Sequence, residues 1–193
     1  FNTLLLLFGF IIVAVPLLNV IASSLSTPGA VITGKVGIWP VGWNFDAYMQ
    51  IFQSKKLLQG YANSILYTFV GTVINIVMTV MAAYPLATKR FVGRGIFTGL
   101  FVFTMIFSAP LIPTFLNIRD LGLLDTMWSL VLPGAISVYN MIIARTYFQN
   151  SIPDEMIEAA GLDGANDSQI LFKLVLPLSK SILAVLTLYY AVA

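Results

Sequence analysis

The sequence has no cysteine and no histidine. That excludes disulfides, thiolate nucleophiles, Cys/His zinc sites and a histidine general base. Charge is scarce too: charged residues make up 9% of 193, against about a quarter in an average protein. A chain so poor in charge cannot cover a water-soluble surface. Disorder is excluded from the other side, because 59% of the residues are hydrophobic. A formal charge of +2 gives no ground for a nucleic-acid partner. What is there instead is a series of long apolar runs, which makes the chain an all-α membrane protein with the lipid bilayer as its surroundings.

Four complete spans and part of a fifth are expected. The first covers Leu4–Ala22 and carries no charge; about 19 residues rising about 1.5 Å each reach across a hydrocarbon layer. The second covers Ala62–Ala87, the third Ile96–Leu116 and the fourth Trp128–Ala144. The fifth begins near Ser181 and reaches Ala193 after about 13 residues, short of the ~20 a span needs. Together with a start at Phe1 rather than Met, this reads as a fragment. Between the first two spans, Ser23–Gly60 is rich in turn-forming Gly and Pro. Its Trp39, Trp43 and Tyr48 suit a membrane interface, and a short helix over Asp46–Lys56 is expected to lie there.

Basic residues orient the spans. The turn Thr88–Gly95 carries Lys89, Arg90 and Arg94 with no acid, which places it in the cytoplasm. Alternation then puts Ser23–Gly60 and Asn117–Met127 outside, and Arg145–Lys180 inside.

Several patterns carry less than they first suggest. Gly29–Val36 nearly spells a Walker A phosphate loop, but Val36 stands where that motif needs a hydroxyl for magnesium. No nucleotide or other cofactor is therefore expected on this chain. Gly95 and Gly99 have the spacing of close-packing membrane helices. Pro16, Pro85, Pro110, Pro113 and Pro133 sit in or beside spans, where each removes a backbone donor. Asn75, Ser108, Tyr139 and Asn140 are candidates to line a solute path; the plainer role is hydrogen bonding between helices.

The informative segment is Arg145–Lys180, which holds five of the eight acidic residues: Asp154, Glu155, Glu158, Asp163 and Asp167. Ser151 and Asp154 have capping-box spacing, Pro153 suits a first turn, and Ile152, Met156 and Ala160 repeat at helical spacing. The like charges at i, i+3 and i+4 repel, and a basic partner surface would reverse that cost. Gly161 and Gly164 can end this helix. Asn166, with Gln169 three residues on, caps a second one that closes at Pro177. With no pocket evident, a docking surface is a better reading of these carboxylates than a catalytic pair.

This segment resembles the EAA loop of ABC importer permeases. Glu158-Ala159-Ala160 is followed after three residues by Gly164, then after nine by Leu174 in the family's Ile position, then Val175 and Leu176-Pro177. Leu162-Asp163-Gly164-Ala165 and Leu176-Pro177-Leu178 are similar to the carbohydrate-uptake branch, from which Lys180-Ser181 departs at its usual Lys-Pro. Asn63-Ser64, Thr104-Met105, Leu111-Ile112-Pro113 and Pro133-Gly134 are most similar to Gram-positive oligosaccharide permeases.

The resemblance implies a type I ABC importer transmembrane domain in the cell membrane of a Gram-positive bacterium. It implies residues 1–60 as a first helix and extracellular loop, and 61–193 as the importer core with its coupling loop at 145–180. The family's six spans would leave about one and a half absent from this sequence. It also implies a second permease subunit, two ATPase subunits that hold ATP and magnesium, and an extracellular solute-binding lipoprotein. Glu158, Ala159, Ala160, Gly164, Leu176 and Pro177 would couple to the ATPase, with Asp154, Glu155 and Asp163 supporting that surface. A sugar or oligosaccharide is the expected cargo, with a peptide, amino acid or ion as alternatives. The charge-free spans offer no proton or sodium relay, although an ion-coupled transporter remains a further alternative.

Overall fold

A computed structural model describes residues 2–193. The chain divides into two compact units, one up to Asn63 and one from Ser64 to Ala193.

The first unit opens with helix α1 (Asn2–Ser24), whose Pro16 is accommodated within the helix. Nearly all its large side chains are exposed, as suits a helix whose solvent is lipid. The loop that follows folds back on the end of α1. Asn19 donates from Nδ2 to the carbonyls of Val36 and Gly37, and the Ser24 hydroxyl pairs with that of Tyr48 at 2.8 Å. The segment that nearly spells a phosphate loop forms a single turn, α2 (Pro28–Ile32), and Gly34 turns the chain at φ +66°. The helix expected over Asp46–Lys56 is present in part as α3 (Asp46–Gln53), while Lys55 and Lys56 open the next helix.

Helix α4 (Lys55–Ala87) has 33 residues. At about 1.5 Å per residue it is longer than the ~30 Å hydrocarbon layer, so it begins well before the expected Ala62. The rest of the second unit departs from a plain row of spans. The expected third span is two helices, α5 (Arg94–Ile106) and α6 (Leu111–Asp120), bent by 115°. Pro110 explains the break: its ring disfavours helical geometry at Ala109, and it cannot donate to a preceding carbonyl. The expected fourth span is also divided. A short α7 (Trp128–Val131) gives way to irregular chain around Pro133 and Gly134. The main helix, α8 (Val138–Ser151), is capped by the Ser137 hydroxyl accepting from Asn140 N–H.

Among the described residues, two helices, α1 and α4, are thus long and apolar enough to cross a membrane singly, and four segments are if each bent pair counts as one. Gly95 and Gly99 meet no other group within 4 Å, so close packing through them does not occur within the described chain.

The segment after α8 forms α9 (Asp154–Leu162), α10 (Asp167–Ile170), a π turn at Leu171–Val175, α11 (Leu176–Leu178) and α12 (Lys180–Val192). The π turn precedes Pro177, which has no N–H to offer the carbonyl four residues back, and the wider turn accommodates the missing bond. At Ser179 the direction changes by 83° between Asp167–Leu178 and Lys180–Val192. One apolar core joins these pieces to the long helices. It contains Val80, Ala83 and Leu86 of α4, Met141, Ala144 and Phe148 of α8, Ile170, Leu171 and Val175, and Ile182, Leu186 and Tyr190 of α12.

Candidate functional site

Helix α9 starts after Pro153, an extended residue that stops the preceding helix and needs no N–H of its own. Ser151 belongs to the end of α8, so the expected capping box with Asp154 does not form. The second expected box does form: Asn166 Oδ1 accepts from Gln169 N–H at 2.8 Å, and Gln169 Oε1 accepts from Asn166 N–H at 3.0 Å. Between the two helices Gly164 has φ +82°, a left-handed conformation that disfavours any side chain. Gly161 remains inside α9.

The inner face of α9 is Ile157 and Ala160, both packed on the core. Of the three residues whose spacing predicts one apolar face, Ile152 and Ala160 pack on the core, Ile152 from just before the helix, while Met156 is exposed and Ile157 takes its place. The outer face is Glu155, Glu158, Ala159 and Leu162, all exposed and spaced i, i+3, i+4 and i+7. Leu162 is 90% exposed. Its place on this face follows from its helical spacing of seven from Glu155. Asp163 is exposed just beyond the helix. Leu174 and Leu176 are half-buried against the core, whereas Pro177 is exposed.

The acidic residues were expected to await a basic partner. One has that partner in its own chain: Lys89 Nζ and Asp154 Oδ2 form an ion pair. The Asp154 hydrogen bond and charge push the Lys89 ammonium above its ordinary value of 10.5. The same pair puts the Thr88–Gly95 turn and the start of α9 on one side of the unit, and α8 continues through the expected loop start at Arg145 as far as Ser151. Lys89, Arg90 and Glu158 line one small cleft with Asp154 and Glu155. The end of α4 is fixed from α8: Arg145 Nε donates to the Leu86 carbonyl at 3.0 Å, and Gln149 Nε2 to the Ala87 carbonyl at 3.4 Å. Both occupy carbonyls that a helix C-terminus leaves without partners.

A second feature lies among the apolar helices. Tyr67, Thr72 and Asn75 of α4 face Ser137, Asn140 and Tyr190 across a cleft of 520 Å³. Thr72 is 7% exposed. Its Oγ1 and the Asn75 Oδ1 are buried without a hydrogen-bond partner. Among the described residues, none that lines the cleft is charged. The structure thus brings together two of the four residues expected along a path, Asn75 and Asn140. Ser108 lies apart, exposed in the break between α5 and α6, and Tyr139 points to the exposed side of α8. Adjacent positions on a helix differ by about 100°, so Tyr139 cannot share the face of Asn140. Thr72 was missed, because a threonine in a span gives no sequence signal that separates lining from packing.

Among the described residues no group of three or more His, Cys, Asp or Glu could hold a metal ion.

The family described as "Binding-protein-dependent transport system inner membrane component" matches residues 57–193. The chain belongs to this family. Such a permease is the non-catalytic membrane component of its transport system. Among its curated relatives, the polygalacturonan/rhamnogalacturonan transport system permease protein YtcP of Bacillus subtilis is 40% identical over 97% of this chain and 67% of its own length. Protein LplC of the same organism is 39% identical over 94% of this chain and 61% of its own. A crystal structure of a bacterial ABC transporter involved in import of the acidic polysaccharide alginate has a chain that superposes with a TM-score of 0.94 at 40% identity. That match covers 99% of this permease and 68% of the solved chain. The chain therefore spans about two thirds of the length of the proteins it matches.

Proposed function

We infer that this permease forms one half of the membrane path of an ATP-driven importer for oligosaccharides, and that α9 is the helix through which a separate ATPase drives it. The observation that carries the reading is the division of α9 into two faces. Ile157 and Ala160 are committed to the permease core, while Glu158, Ala159 and Leu162 are left outward. A short helix anchored inward and presenting an acid, a small residue and a large apolar side chain outward suits docking into a groove. In this reading Glu158 makes the polar contact, Leu162 the apolar one, and Ala159 allows close approach. Gly164 makes the turn, and Leu176-Pro177 leads the loop into α12, with Glu155 and Asp163 at the rim. Asp154 has an internal role with Lys89.

The importer core corresponds to residues 61–193, which agrees with the start of the family match at residue 57 and the unit boundary after Asn63. The partners are a second permease, two ATPase subunits carrying ATP and magnesium, and a solute-binding lipoprotein outside the membrane. A sugar cargo is supported by the names of the relatives and by the uncharged amides and hydroxyls around Asn75 and Asn140. The setting is the cell membrane of a Gram-positive bacterium, as in the Bacillus relatives.

The deciding experiment is Glu158→Lys in the complete reconstituted transporter, with substrate-stimulated ATPase activity and uptake both measured. Loss of both is expected, and normal values for both would remove α9 from the coupling role. Uptake assays with neutral and acidic oligosaccharides, peptides and amino acids test the cargo. Transport of peptides or amino acids alone would overturn the sugar assignment.

A further inference from the structure

The turn between α4 and α5 makes contact with both ends of α9. Lys89 pairs with Asp154, the first residue of the helix. The next residue, Arg90, reaches the other end: a Cβ added at Gly161 would meet both terminal guanidinium nitrogens of Arg90 at 3.5 Å. From Asp154 to Gly161 is about 10 Å along a helix, a span that two adjacent long side chains cover only when they diverge. Arg90 lies at the helix C-terminal end, where the dipole favours a cation. Lys89 lies at the N-terminal end, where the dipole disfavours a cation and the Asp154 carboxylate compensates. Between the two contacts, Ile157 lines the clefts against Thr88, Lys89 and Arg90. The turn has little freedom at its other side, because Arg145 and Gln149 hold the last carbonyls of α4.

We propose that Lys89 and Arg90 are positioning residues of the coupling apparatus: a two-ended strap that makes α9 move together with the adjoining ends of α4 and α5. The proposal rests on α9 being the docking helix and adds the route by which its motion enters the spans. Covalently, α9 is attached only to α8 and α10. Through the strap a displacement also reaches α4, which carries Thr72 and Asn75. Gly161 is part of the device, since a side chain longer than alanine there displaces the guanidinium.

The test uses the complete transporter in proteoliposomes, with uptake and ATP hydrolysis measured together. Lys89→Asp places two carboxylates together and should lower uptake per ATP about threefold; with the two side chains 74% and 43% exposed, solvent screens the repulsion and the loss is partial. The exchange Lys89→Asp with Asp154→Lys should restore it to within about twofold, which a general folding defect would not allow. Wild-type uptake per ATP in Lys89→Asp, or failure of the exchanged pair to recover, overturns the strap. In a transporter otherwise freed of cysteine, to which residues 1–193 contribute none, Lys89→Cys with Asp154→Cys can be joined by a short thiol linker. Efficient joining in the assembled transporter is expected, and its absence overturns the contact itself. Glu158→Lys separates the two ideas. If it uncouples the transporter while Lys89→Asp does not, only the strap fails; if it has no effect, the docking role fails.

Discussion

The hydroxyl of Tyr190 lies 2.6 Å from Thr79 Oγ1, although the two residues are 111 positions apart. The same hydroxyl accepts the Ser137 N–H at 3.2 Å. One phenol thus ties α12 to the C-terminal third of α4 and to the residue that caps α8, within the apolar core. Tyr190→Phe keeps the ring and removes both bonds. A loss of about 1–2 kcal/mol is expected, visible as a lower thermal unfolding midpoint of the detergent-solubilised transporter.

Arg145 is the cation at the end of α4. Replacing it with alanine leaves the Leu86 carbonyl without its charged donor. A charge-assisted bond of this kind contributes about 1.5–3 kcal/mol, and the half-buried setting argues for the lower part of that range. Arg145→Ala should therefore unfold at lower temperature, with faster amide exchange in the last turn of α4. Exchange that rises equally throughout would contradict a local capping role.

Ser179 makes the opposite case. It is 0% exposed, yet its hydroxyl has no hydrogen-bond partner. An unpaired buried hydroxyl costs about 1–3 kcal/mol. Ser179→Ala is expected to leave stability unchanged or raise it by about 1 kcal/mol. A clear loss in thermal unfolding would show that the hydroxyl is bonded after all.

The cleft between α4, α8 and α12 predicts a contrast between pairs of residues. Asn75→Leu and Asn140→Leu remove amides from its wall and should each raise the half-saturating sugar concentration for uptake or lower its maximal rate by about tenfold, one lost bond to a buried polar group being about 1.4 kcal/mol. Ser108→Ala and Tyr139→Phe, which lie off the cleft, should transport within about twofold of wild type. Equal effects from both pairs would remove the cleft from the path.

The sequence was most legible where periodicity or chemistry leaves one choice. The uncharged run of α1, the basic turn at Thr88–Gly95 and the Asn166–Gln169 cap all follow from local rules and are present as read. The departures share a cause. Pro110 and Pro133 break what hydropathy reads as continuous spans, because an average over a window does not register a single missing donor. Ser151 was read as a cap because its spacing to Asp154 fits, but α8 runs on through it while Pro153 takes the start of α9. The apolar spacing of Ile152, Met156 and Ala160 holds at Ile152 and Ala160 and fails at Met156, because Ile152 precedes the helix and Ile157 is the residue in register with Ala160. The Lys89–Asp154 pair could not be read at all: its partners are 65 positions apart, and only packing of the loop against the turn brings them together.

The bend at Ser179 has a mechanical consequence. Asp167–Leu178 and Lys180–Val192 meet at 83°, and side chains from both arms, Ile170 and Val175 on one and Ile182 and Leu186 on the other, belong to one core. Two arms fixed near a right angle and turning about an enclosed corner form a bell crank. A push on the loop-side arm would emerge along the other arm as a swing in a nearly perpendicular direction, and the bonds of Tyr190 to Thr79 and Ser137 would receive that swing.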